Sequence, residues 1–132
     1  MYDVLVPVDT DEGTVIKQIS AVCALPSAAD EVRTIILHVY EDNPEGGSVG
    51  RLGSVRRATE RLDDAGVAYD LTETSGDPAE QILDAAREYD ADCICLGGRQ
   101  RTPAGKAIFG SVSQSVILQS DRPVLTVPGE SD

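Results

Sequence analysis

Between Cys93 and Ser120 the chain carries only three charges, Arg99, Arg101 and Lys106, and no carboxylate, although its net charge is -12. These cations lie in Gly97-Gly98-Arg99-Gln100-Arg101-Thr102-Pro103-Ala104-Gly105-Lys106-Ala107-Ile108-Phe109-Gly110-Ser111. Glycines let backbone come close to a ligand. A helix starting near Ser111 aims free N–H groups the same way. The chemistry that fits is capture of an anion, most simply a phosphate chain. Ser111-Val112-Ser113-Gln114 also has the spacing of a capping box, in which the Ser111 hydroxyl accepts from the Gln114 N–H and the glutamine reaches back. The two roles are compatible, since an anion takes the N–H groups that a cap leaves free.

Other reactive side chains form weaker sets. Asp9, Asp11 and Glu12 cluster after the first apolar run, as in a phospho-accepting receiver. A receiver also needs an aspartate after the third strand and a lysine after the fifth, and those places read "LTETSG" and "TVPGES". The acids are therefore expected to be solvated surface and helix N-terminal charge. His38 is the only histidine, inside "TIILHVY", and Cys93 and Cys95 alternate with apolar residues. They read as core or strand-end residues rather than metal ligands. With Cys23 the thiols number three, which implies no disulfide framework. No Ser/His/Asp set has a plausible order for catalysis.

Five apolar runs must position these residues: 2–8 "YDVLVPV", 33–40 "RTIILHVY", 67–73 "VAYDLTE", 91–97 "ADCICLG" and 122–128 "RPVLTVP". Val, Ile, Leu and Tyr bounded by Gly, Pro, Asp or Ser predict strands. Helical spacing separates them. A first helix from Thr14 turns Val15, Ile16, Ile19, Val22 and Cys23 inward. A second uses Leu52, Val55, Thr59, Leu62 and Ala65. A third opens on Asp77-Pro78 as N-cap and first-turn proline, with Ile82, Leu83, Ala86 and Tyr89 inward. A fourth spans 111–120 with Val112, Val116 and Ile117 inward. Residues 41–51, "EDNPEGGSVGR", read as a mobile loop.

Alternating strands and helices predict a single Rossmann-like α/β domain over 1–132: a five-stranded parallel sheet, order 3-2-1-4-5, with four helices on both faces. Ligands of such sheets sit beyond the strand C-termini where the strand order reverses, here between the first and fourth strands. "VPVDTDEGT" and the cationic loop meet there.

Composition narrows the partners. A net charge of -12 opposes general nucleic-acid binding and attraction to an anionic membrane. No run is long enough to span a bilayer, and "MYDVLVPVDT" has no signal-peptide pattern, so a cytoplasmic location is expected. Lysine occurs only at Lys17 and Lys106, against 23 acids. Such a surface suits concentrated salt, where screening removes self-repulsion, and points to a halophilic source.

Taken together, "DVLVPVD", "IILHVYE", "SGDPAEQILDAARE" and "GSVSQSVILQSDRPVLTVP" resemble the universal stress protein (UspA-like) family over nearly the whole chain. The resemblance implies an adenine nucleotide alpha hydrolase-like fold. It also implies a regulatory domain that binds ATP or another adenine nucleotide, with or without Mg2+, and pairs as a homodimer through the last strand, Val124, Leu125 and Val127. Slow ATP hydrolysis or self-phosphorylation at Ser111 or Ser113 enters by resemblance only.

ATP-binding members carry Gly-x2-Gly-x9-Gly-Ser/Thr. Here Gly97 matches the first glycine and Gly110-Ser111 the last pair, while Gln100 replaces the middle glycine. The implied nucleotide-binding set is Pro7, Val8, Asp9, Val39, Gly97, Arg99, Gln100, Arg101, Gly110, Ser111, Val112 and Ser113. Asp9 would approach the ribose or a metal, backbone at Val39 the adenine, and Arg99, Arg101, Val112 and Ser113 the phosphates. Because of Gln100, a dimeric interaction module of the same fold that binds no nucleotide is the alternative.

Overall fold

Each apolar run becomes a strand in the computed structural model, which describes residues 1–9, 11–40, 53–98 and 110–127. In chain order the elements are β1 (Tyr2–Val8), α1 (Glu12–Cys23), α2 (Ala28–Glu31), β2 (Val32–Tyr40), α3 (Gly53–Ala65), β3 (Ala68–Ser75), α4 (Pro78–Glu88), β4 (Cys93–Gly97), α5 (Ser111–Gln119) and β5 (Val124–Val127). The strands form one parallel sheet in the order β3-β2-β1-β4-β5. This is the predicted order, so the strand sequence reverses between β1 and β4.

The alternation of β1 divides the core. Val4, Val6 and Val8 face one side and pack with Val15, Ile19 and Val22 of α1 and with Val55, Ala58 and Leu62 of α3. Leu5 faces the other side, with Ile82, Leu83 and Ala86 of α4 and Val116 of α5. β2 and β4 are covered on both faces, as their near-continuous apolar sequences require.

Helix boundaries follow their caps. Asp77 accepts from the Glu80 N–H at 3.1 Å and Pro78 occupies the first turn, as predicted. α1 starts at Glu12, two residues before the predicted Thr14, because Asp11 caps it: the carboxylate accepts from Gly13 N–H and from the Thr14 hydroxyl. The short α2 adds a helix to the four expected.

Four inward assignments need correction. Ile16 is only half-buried, and Gln18 takes the buried place on α1 beside Val15, Ile19 and Val22. Ala65 is exposed and Thr59 only half-buried, and Ala58 fills the α3 core position instead. Ile117 is 40% exposed, because α5 buries a narrow stripe centred on Val116. The predicted loop 41–51 and Leu52 lie outside the described residues.

Candidate functional site

At the C-terminal edge of the sheet, β1 stays paired with β2 as far as Val8 opposite His38, whereas its pairing with β4 ends at Leu5 opposite Ile94. β4 meanwhile stays paired with β5 to Gly97 opposite Val127. The sheet therefore opens between the ends of β1 and β4, at the topological switch point where open α/β sheets bind ligands.

Hydrogen bonds fix the walls of this opening. Beyond β1, the Asp9 carboxylate accepts from the Asp11 N–H at 2.9 Å, and its carbonyl accepts from the Ser54 hydroxyl at 2.7 Å. Ser54 is buried in the first turn of α3, so that helix is tied to the β1 loop. His38 Nδ1 lies 2.9 Å from the Val8 carbonyl. A carbonyl only accepts, so Nδ1 carries a proton and donates. The His38 ring also meets Tyr40 edge to face at 4.5 Å.

Gln18 of α1 is 1% exposed and occupies the floor. Its Nε2 donates to the Pro7 carbonyl at 2.8 Å and to the Cys95 carbonyl at 3.1 Å, joining β1 to β4 where their own pairing has stopped. The Cys95 thiol in turn points at the Gln18 carbonyl, 3.8 Å away. Burial pushes that thiol up to about 12 and raises Cys93 as well, so both remain neutral core groups. Cys23, Cys93 and Cys95 are free thiols.

The predicted residues fall into three groups. Pro7, Val8, Asp9 and Gly97 stand on the two strand ends that flank the opening, and Val39 lies half-buried near the end of β2, next to β1. Gly97 has a reason to be glycine within the fold itself: a Cβ there would run into the Thr14 methyl and come within 3.1 Å of the Gln18 carboxamide. Arg99, Gln100 and Arg101 lie outside the described residues, as does Lys106.

The third group begins α5. Gly110, not Ser111, is the N-cap; its carbonyl accepts from Gln114 N–H at 3.0 Å, and glycine brings no side chain to the cap. The predicted capping box is therefore replaced by a glycine cap, with extended backbone at Gly110 placing Ser111 already inside the first turn. Ser111 and Val112 line a 440 Å³ groove between α4 and α5, together with Asp77, Leu83 and Arg87. That groove has no lining residue from β1, β2 or β4, so it is distinct from the opening at the switch point.

Among the described residues no cluster of three or more His, Cys, Asp or Glu could hold a metal, and no helix is long and apolar enough to cross a membrane. Asp11 caps α1 and Asp9 accepts from the cap residue's own N–H, as expected of helix N-terminal charge.

Gln18 and Ser54 do not stand out in the sequence. The one signal for Gln18 is a polar residue between Val15, Ile19 and Val22 on an otherwise apolar helix face.

The sequence model of the universal stress protein family matches residues 1–128. A universal stress protein of Thermus aquaticus is 32% identical over 121 residues, covering 84% of this chain and 88% of its own. One of Mycolicibacterium smegmatis is 37% identical over 78 residues, covering 58% of this chain and 60% of its own, and the stress response protein NhaX of Bacillus subtilis is 36% identical over 67% of this chain and 49% of its own. The chain thus matches about half to three-fifths of the length of these last two. Among solved structures, a universal stress protein from Archaeoglobus fulgidus superposes with TM-score 0.79 at 23% identity, covering 96% of this chain and 98% of its own. A universal stress protein in complex with cAMP gives TM-score 0.72 at 23% identity over 98% of each chain. A universal stress protein structure from A. fulgidus in complex with dAMP gives TM-score 0.71 at 19% identity over 96% of this chain and 98% of its own. On the family match over residues 1–128 and the strand order, this chain belongs to the universal stress protein family.

Proposed function

We propose that this universal stress protein domain is a regulatory module that binds an adenine nucleotide between the ends of β1 and β4. The observation that carries this reading is the loss of β1–β4 pairing beyond Leu5 and Ile94 while both strands run on to Val8 and Gly97. The gap lies at the switch point, and solved relatives of this fold hold cAMP or dAMP. The base would lie toward Val39 and the ribose toward Asp9. The phosphates would meet the N-terminus of α5 and the cations Arg99 and Arg101. ATP, with or without Mg2+, is the largest ligand of this class. Copies pair through β5 as a homodimer in the cytoplasm. The acid-rich, lysine-poor surface supports a salt-adapted origin.

Mass spectrometry of ligand released from gently purified protein, followed by calorimetry with AMP and ATP, tests the reading. An adenine nucleotide in the released fraction and saturable heats support it. Absence of both favours a second reading, a dimeric interaction module, for which Gln100 in the place of the middle glycine is the specific argument.

A further inference from the structure

Pro7 stands in the central strand of the sheet, where proline is rare because it has no N–H for the ladder. The direction of the missing bond can be read from the register. The Asp3 carbonyl accepts from Asp92 N–H, so the backbone of residues 3, 5 and 7 faces β4. Extending Leu5 opposite Ile94 by two residues sets position 7 opposite Leu96, with its nitrogen facing the Cys95 carbonyl. A residue with a backbone N–H has a donor aimed at that carbonyl; proline has none. In this chain the Cys95 carbonyl receives Gln18 Nε2 instead, at 3.1 Å, and the same nitrogen donates to the Pro7 carbonyl at 2.8 Å.

We infer that Pro7 and Gln18 form a paired device: proline stops β1 from zipping onto β4, and the buried carboxamide satisfies the carbonyls left over and holds the two ends apart. Gln18 is thus a positioning residue for the crevice, acting through the strand ends without needing to touch a ligand. This rests on the nucleotide reading only for its effect on affinity.

The geometry explains why neither residue suffices alone. Proline without Gln18 leaves a buried carbonyl unsatisfied. Gln18 without proline competes with a backbone N–H for the same acceptor. The Gly97 site completes the arrangement, since α1 can bring Gln18 this close to β4 only where β4 has no Cβ.

The test uses the full chain in four forms: parent, Gln18→Leu, Pro7→Ala, and the double variant. In the parent, NMR should show Gln18 carboxamide protons exchanging at least tenfold more slowly than those of exposed Gln119. Gln18→Leu should lower the urea midpoint. Adding Pro7→Ala should recover part of that loss, because the N–H gained at position 7 then reaches the Cys95 carbonyl, and that new amide should be protected from exchange. With AMP as probe, the double variant should bind at least tenfold more weakly than parent despite its recovered stability. If Gln18→Leu does not fold but the double variant does, the rescue is established in stronger form. An unprotected Gln18 carboxamide in the parent, or a position-7 amide in the double variant that exchanges like an unfolded peptide, overturns the inference. So does AMP affinity recovering in step with stability. If the parent itself binds no AMP, the nucleotide reading fails, while hydrogen exchange and the stability cycle still decide the role of Gln18.

Discussion

The Ser54 hydroxyl donates to the Asp9 carbonyl at 2.7 Å, so the first turn of α3 holds the loop that leaves β1. The two residues are 45 positions apart, one just beyond the central strand β1 and the other on a helix packed against the sheet face that α1 also covers. Ser54→Ala removes the donor and leaves the carbonyl without it, which should cost about 1 kcal/mol. Urea unfolding measures the loss, and a midpoint unchanged from parent would show that water replaces the hydroxyl.

Gln100→Gly should tighten adenine nucleotide binding. If position 100 takes a positive φ, a non-glycine residue there costs roughly 1 kcal/mol, and restoring glycine returns about a fivefold gain in affinity. Replacing Arg99 and Arg101 with alanine should weaken binding. Calorimetry on the three proteins at one salt concentration reads both effects, and equal affinity for parent and Gln100→Gly would show that the glutamine is accommodated.

Assembly through β5 can be separated from folding by choosing the residue on the right side of the strand. Leu125 packs against the α1 side of the core, so Leu125→Asp should give monomers but also lower stability. The Pro123 and Val127 carbonyls accept from Ile94 and Gly98, so odd-numbered residues bond β4 and Thr126 faces the open edge. Thr126→Pro removes an edge donor and leaves the β4 ladder intact. Sedimentation should find a parent dimer and a folded Thr126→Pro monomer. A monomeric parent at high concentration in molar salt would refute pairing through this strand.

Alkaline stability carries a signature of Cys95. Its folded-state thiol is pushed from 9.0 up to about 12 by burial. The folded protein therefore keeps a proton that the unfolded chain releases. This contribution is complete below pH 9 and is lost as pH climbs toward 12, at about 1.4 kcal/mol per pH unit. Cys93 is raised for the same reason and adds in the same direction. Urea midpoints between pH 8 and pH 11 should fall less steeply in Cys95→Ala than in parent.

Salt should stabilise the fold. Repulsion within a net charge of -12 relaxes as screening shortens its range. Thermal midpoints should rise between dilute buffer and molar KCl, and a flat response would count against adaptation to salt.

The sheet was legible because its strands are short, apolar and bounded by turn residues, and Asp77-Pro78 announces its helix by local chemistry alone. Side-chain partnerships across the chain were not. Gln18 looks like a polar interruption in an apolar helix face until the Pro7 and Cys95 carbonyls, 11 and 77 positions away, are seen to accept from its carboxamide. Ile117 matched a helical stripe, yet α5 sits against the sheet on too narrow a front to bury it. Ser111 had capping-box spacing, but glycine before it took the cap because extended backbone came at Gly110.

The packing around Gly97 has a consequence for how this motif is read in other chains. A letter shared between sequences is informative about a ligand only if the ligand is what selects it. At Gly97 the crossing of α1 over β4 excludes a side chain, so a descendant that abandoned nucleotides would still keep the glycine. The position is a marker of architecture. Ligand binding in a relative should therefore be judged on motif positions that no helix crossing already claims.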